Sequence, residues 1–170
     1  LNLCALACER GAESVLVVDR SAARLELAKK FGAHHVLDAS ELAHESLVGT
    51  VRDLTTGRGA DVAFEVCGAK EAIPVGLDAL RIGGRYLITM VTPGNAVELD
   101  GNTLTRRCLT LHGIHNYTGE HLGEALRFLE SVAEHYPYDE IVGRTFALDD
   151  IEEAVVVASS GQYVRVGVTP

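Results

Sequence analysis

Residues 14–40 read SVLVVDRSAARLELAKKFGAHHVLDAS, and this stretch decides the fold. SVLVVD (14–19) is a short apolar run rich in β-branched residues, the pattern of a strand buried in a parallel sheet. Ser21 can cap a helix over 22–31, where Leu25, Ala28 and Phe31 fall at helical spacing and Gly32 can end it. HHVL (34–37) reads as a second, weaker strand. Strand, helix and strand with connections this short imply parallel strands joined by a right-handed crossover.

The alternation continues on both sides. Residues 1–10 (LNLCALACER) read as the middle of a helix ending at Gly11, as in a chain cut open at its N-terminus. Downstream the pattern predicts a helix over 41–54, a loop at 55–60 (TTGRGA), a strand at 61–66 (DVAFEV) and a helix over 69–80 with Ile73, Leu77 and Leu80 on one stripe. Residues 81–85 (RIGGR) make a turn into a strand at 86–91 (YLITMV), which stops at Thr92-Pro93-Gly94. A strand at 108–115 and a helix over 119–135 follow, the latter with Leu122, Ala125, Leu126, Leu129, Val132 and Ala133 on one face. A strand near 142–147, a helix over 149–159 and a strand at 162–168 complete the chain, with no repeat and no low-complexity tract. Apolar strands without alternation imply that both sheet faces are covered. The fold class is α/β, a doubly wound parallel sheet of Rossmann type.

Composition narrows the function. Of 170 residues, 47% are apolar and 23% charged, enough apolar surface to offset the entropy of folding. No apolar run approaches the roughly 20 residues that span a bilayer. Twenty-four acids against 15 Lys and Arg leave a net charge of -9, which argues against nucleic acid and anionic membrane surfaces as partners. A single phosphate held by backbone N–H groups stays open. Four cysteines (Cys4, Cys8, Cys67, Cys108), with no secretory signal, read as buried, reduced thiols in a cytoplasmic protein.

In doubly wound sheets a nucleotide binds at the carboxyl ends of the strands. Asp19 ends its strand, where a carboxylate can accept hydrogen bonds from both ribose hydroxyls of an adenosine and repel a 2′-phosphate, favouring NAD over NADP. The dinucleotide fingerprint sets that acid about 20 residues beyond its glycines, so the glycine loop would fall at or before Leu1. The alternative is an acid that simply ends a strand before a turn.

The segments 6–40, 55–68 (TTGRGADVAFEVCG), 80–91 (LRIGGRYLITMV) and 146–170 (FALDDIEEAVVVASSGQYVRVGVTP) together resemble the medium-chain dehydrogenase/reductase superfamily, with zinc-type alcohol dehydrogenases the nearest branch. The resemblance implies the C-terminal half of an NAD-dependent alcohol dehydrogenase. Residues 1–115 would be an N-terminally truncated Rossmann domain, and 116–170 a segment returning to the catalytic domain. It assigns Asp19 to the adenosine ribose with Arg24 beside it, and Val66, Cys67 and Gly68 to the adenosine and nicotinamide-ribose wall. Thr89, Val91, Gly113 and His115 fall at the strand ends that hold the carboxamide, and Arg165 matches the arginine that reaches the pyrophosphate. Read alone, Arg165 is a solvated surface residue and His115 an ordinary strand-end histidine. A narrower resemblance, over 109–142 (LTLHGIHNYTGEHLGEALRFLESVAEHYPYDEIV), is to the alcohol dehydrogenases associated with phosphonate catabolism.

The resemblance also implies a zinc whose Cys and His ligands lie outside this chain. Within it, His34 and His35 point to opposite faces of a strand, as do His112 and His115, so no metal site is expected. Glu65 is unusual inside an apolar strand, because a buried carboxylate needs a partner. The superfamily often has Glu there, which implies structural hydrogen bonding, and no chemistry is assigned to it. The first strand of the fold would lie between 14–19 and 61–66; without it, facing rows of backbone groups would go unpaired at about 1–3 kcal/mol each. The expectation is that residues 1–170 are not made alone, or show an altered sheet. The strand at 108–115 would pair with its copy in a homodimer or homotetramer. Partners are then a small alcohol or aldehyde and no nucleic acid or membrane. The alternatives are a zinc-free quinone or enoyl reductase of the same superfamily, or a non-catalytic nucleotide-binding module.

Overall fold

Short β-strands alternate with helices along the chain in a computed structural model that describes residues 1–40, 42–89 and 96–170. Helix α1 (Asn2–Glu9) precedes β1 (Leu16–Asp19), α2 (Ala22–Lys30), β2 (His35–Asp38) and α3 (His44–Leu54). Next come β3 (Ala60–Glu65), α4 (Ala72–Ala79), β4 (Leu80–Ile88), α5 (Gly101–Arg106) and β5 (Thr110–Gly113). Helix α6 (Gly119–Val132), β6 (Val142–Ala147), α7 (Ile151–Ser159) and β7 (Arg165–Thr169) close the chain. Pairing is parallel throughout, in the orders β1-β2, β3-β4-β5 and β6-β7. This is the α/β, parallel-sheet class that the alternation dictates.

By packing, the chain forms two compact units, Leu1–Ser40 with Gly119–Pro170, and Glu41–Thr118. The functional division expected at 115/116 is a separate matter. The core of the first unit is Cys4, Ala5, Leu27 and Phe31, with Val15, Val17, Phe128, Tyr136 and Tyr138 around it. Phe31 stacks on Tyr136 at 5.8 Å and meets Tyr138 edge-on at 5.1 Å. In the second unit Ile73, Leu77, Leu80 and Tyr86 form the core. Tyr86 lies so close to Gly76 that a Cβ there would collide with its ring and hydroxyl.

Several expectations are corrected. Residues 81–85 do not turn into a new strand; they belong to β4, which bulges there. Ala60 pairs with Leu80 and Val62 with Arg85, so the extra residues loop out around Gly83 at φ +73°. Helix α5 has no counterpart in the reading of the sequence, being too short for a period; Asp100 caps it, accepting from the N–H groups of Asn102 and Thr103. Strand β5 is shorter than 108–115, since Cys108 and Asn116 take positive φ on either side. The apolar stripe of α6 is buried only at Val132, while Leu122 and Leu126 are exposed. Strand faces are not both covered either: Val18, Val62 and Phe64 remain exposed. Finally, the cysteines are all free, but Cys67 and Cys108 are exposed and only Cys4 is buried. No described helix is long and apolar enough to cross a membrane.

Candidate functional site at the carboxyl ends of the strands

Asp19 stands at the carboxyl tip of β1, and the chain that follows is folded around it. Ser21 caps α2, its hydroxyl accepting from the Arg24 N–H, which sets Arg24 in the first turn. From there the guanidinium reaches back: Nε donates to Oδ1 and Oδ2 at 3.0 Å each, and Nη2 to Oδ1 at 2.8 Å. The Ser21 N–H adds a bond to Oδ1 at 2.9 Å. Partial burial pushes the Asp19 carboxyl up, but the Arg24 bonds, the Ser21 N–H and the guanidinium charge outweigh it and hold the group below the usual carboxylate range. The bond to Asp19 likewise pushes Arg24 up. Oδ1 thus carries three bonds and Oδ2 one, on a side chain 29% exposed. Oδ2, carrying a single bond on this ionised, partly exposed carboxylate, keeps acceptor capacity that suits a ribose hydroxyl. The donor set fits the ribose end of a dinucleotide. Asp38, the register partner of Asp19 at the tip of β2, is turned onto its own chain by the Ser40 N–H and hydroxyl.

A second cluster lies at the tips of β3, β4 and β5. Glu65, the last residue of β3, is 2% exposed, and its Oε1 accepts from the N–H groups of Cys67 at 2.8 Å and Gly68 at 2.7 Å. Its Oε2 is buried without a hydrogen-bond partner among the described residues. The Glu65 carbonyl accepts from the Thr89 N–H at 3.0 Å and hydroxyl at 2.9 Å. Val66 and Cys67 are exposed, whereas Gly68 is buried at φ +79°. Gly113 pairs with Ile88 at the end of β5. Beyond it, His115 is exposed, its Nε2 accepting from Asn116 Nδ2 at 3.1 Å. Val91 lies outside the described residues.

Sequence-derived residues therefore gather in two groups. Asp19 and Arg24 touch; Val66, Cys67, Gly68 and Thr89 are tied through Glu65. Arg165 opens β7 in the same unit as Asp19, exposed, with Nη1 donating to the Val164 carbonyl. One participant escaped the sequence reading, the Ser21 N–H on Asp19, whereas Glu65 was expected to make structural hydrogen bonds and holds the turn after it. The former was signalled by the cap residue itself. No group of three or more His, Cys, Asp or Glu among the described residues could hold a metal ion, and His34 Nδ1 instead accepts the Val15 N–H at 3.0 Å. The donor set does not fit zinc.

Known proteins share the sequence and the fold of this chain. The chain is 35% identical over 167 residues to the L-threonine 3-dehydrogenase of Pyrococcus horikoshii, covering 95% of this chain and 46% of that protein. It spans about half the length of the curated relatives it matches. Among solved structures, an alcohol dehydrogenase from Thermotoga maritima matches 98% of this chain and 46% of its own, with a TM-score of 0.90 and 27% identity. The benzyl alcohol dehydrogenase of Acinetobacter calcoaceticus matches 94% and 43%, with a TM-score of 0.81 and 27% identity. The family profile described as zinc-binding dehydrogenase covers residues 1–131. The chain thus belongs to the zinc-binding dehydrogenases, as a C-terminal portion of the zinc-type medium-chain dehydrogenase/reductase fold.

Proposed function

We propose that the chain is the cofactor-binding part of an NAD-dependent alcohol dehydrogenase. The observation that carries this is the Asp19–Arg24 pair at the tip of β1, an ionised acceptor held in place and left partly open. Asp19 accepts the two adenosine-ribose hydroxyls, and Arg24 keeps it charged and oriented. A carboxylate here disfavours a 2′-phosphate. Val66, Cys67 and Gly68 line the middle of the cofactor, and Thr89, Val91, Gly113 and His115 hold the carboxamide end. Arg165 supplies a permanently charged, bidentate group for the pyrophosphate. NAD, when bound, supplies the hydride-accepting ring. This chain contributes binding and orientation and no acid–base group, and the zinc ligands belong elsewhere.

Residues 1–115 serve the cofactor and 116–170 the catalytic domain. A small secondary alcohol is the substrate class; the relatives named L-threonine 3-dehydrogenases make a 3-hydroxy amino acid the first to assay. The run 109–142 makes a phosphonate-pathway alcohol the second. The protein works in the cytoplasm, as a homodimer or homotetramer paired through β5.

Titrating the complete protein that carries this chain with NAD and NADP tests the reading. Asp19→Gly removes a charge-assisted acceptor of about 1.5–3 kcal/mol, so NAD binding should weaken about 10- to 100-fold while NADP gains relative to NAD. Unchanged affinity for both cofactors removes Asp19 from this role.

A further inference from the structure

Glu65 joins two parts of the proposed cofactor wall that are 24 residues apart. Its carboxylate holds the N–H groups of Cys67 and Gly68 after β3, and its carbonyl holds Thr89 at the end of β4. It does so at a cost. The side chain is 2% exposed, Oε2 is buried without a partner among the described residues, and no salt bridge is made to the carboxylate there. Where packing alone is wanted, an apolar side chain of similar volume is cheaper than a buried carboxylate. What the carboxylate does that leucine could not is draw two successive backbone N–H groups onto one oxygen. Bonds to a charged acceptor are about twice as strong as neutral ones, so the turn is fixed with Gly68 at φ +79°.

We propose that Glu65 is a positioning residue for the nicotinamide cofactor, acting through the backbone of Cys67 and Gly68 without touching the ligand. This rests on the cofactor reading above. It separates the two carboxylates by role: Asp19 accepts from the ligand, Glu65 from the chain that borders it.

The test uses the complete protein that carries this chain, with NAD as the probe, and the variants Glu65→Gln and Glu65→Leu. Gln keeps an acceptor oxygen but no charge; NAD affinity should fall about three- to tenfold, and more than about thirtyfold in Leu, which keeps neither. Amide exchange at Cys67 and Gly68 should accelerate in the same order, while exchange at Phe64 inside β3 stays unchanged. The Gln variant should melt no lower than wild type, because a neutral amide is cheaper to bury than a carboxylate. A structural role alone would lower melting temperature, Phe64 protection and NAD affinity in step, and that result overturns the proposal. So does a Gln variant with wild-type NAD affinity and wild-type exchange at Cys67 and Gly68. If the Leu variant fails to fold, the Gln variant decides by the same criteria. A wild-type protein that binds no NAD removes the cofactor reading and the proposal with it; an NAD-binding wild type with an unaltered Gln variant removes the proposal alone.

Discussion

Asp19 and Glu65 each end a parallel strand, and each carboxylate accepts N–H groups from two or three residues further along. Around Asp19 a guanidinium supplies counter-charge and the side chain keeps contact with solvent. Around Glu65 there is almost no exposure, and Oε1 accepts from two backbone N–H groups. The two corners share a position in the fold and a local bonding pattern, yet they suit opposite tasks. A carboxylate neutralised by a cation and left open can take further donors. One almost fully buried and committed to its own chain can only shape what surrounds it.

The largest expected effect separates the bodies beneath the two corners. Phe31→Ala empties the aromatic core of the unit that holds Asp19 and should cost about 3–5 kcal/mol in denaturant unfolding. Amide exchange should rise through Leu1–Ser40 and Gly119–Pro170 more than through Glu41–Thr118; equal loosening of both units would mean that the corners are not independently supported. Gly76→Ala makes the reciprocal attack. Its Cβ collides with Tyr86, so about 1–3 kcal/mol should be lost, with the disturbance centred on α4, β4 and Glu65. A thermal melt unchanged from wild type would show that the Tyr86 ring moves aside freely.

The smallest effect concerns acid. The folded-state carboxyl of Asp19 lies below its unfolded value, so its contribution to stability is complete above about pH 4 and is lost as pH falls through the folded value. Asp19→Asn should flatten part of the fall in melting temperature below about pH 4 and leave the curve near pH 7 parallel to wild type. Asp38, Asp61 and Asp100 also sit low, drawn down chiefly by hydrogen bonds to Ser40, Arg81 and Thr103 respectively, so the remaining acid dependence should persist. An Asn variant whose acid profile superimposes on wild type would detach Asp19 from it.

What the sequence made legible was local. Ser21 at the N-cap, Gly32 at the C-terminal end and a run of β-branched residues suffice for β1, α2 and β2, because the deciding interactions span only a few residues. The bulge in β4 was hidden because glycine pairs signal a turn whether the chain reverses or only loops out and resumes pairing. Helix α5 carries a cap but too few residues to show a period. For the exposure of Leu122 and Leu126 the spacing was right and the inference from it wrong: periodicity marks a face, and only neighbouring elements decide whether it is covered. At the candidate site, Asp19 was legible because it ends its strand, while Arg24 came from the family resemblance and its bond to Asp19 across five residues was not read. Glu65 was visible as an anomaly, but its link to Thr89 depends on the pairing of β3 with β4.

The sulfur atoms on α1 carry a consequence of their own. Cys4 is 4% exposed, its thiol pushed up to about 11 chiefly by burial, and Cys8 sits beside it with Sγ against the Gly32 carbonyl at 3.1 Å. A maleimide added to the native protein should find Cys108 and Cys67 at the surface and pass Cys4 by. Alkylation of Cys4 would then proceed only as fast as α1 lifts from α2, making that one sulfur a clock for breathing in the half of the molecule that holds Asp19.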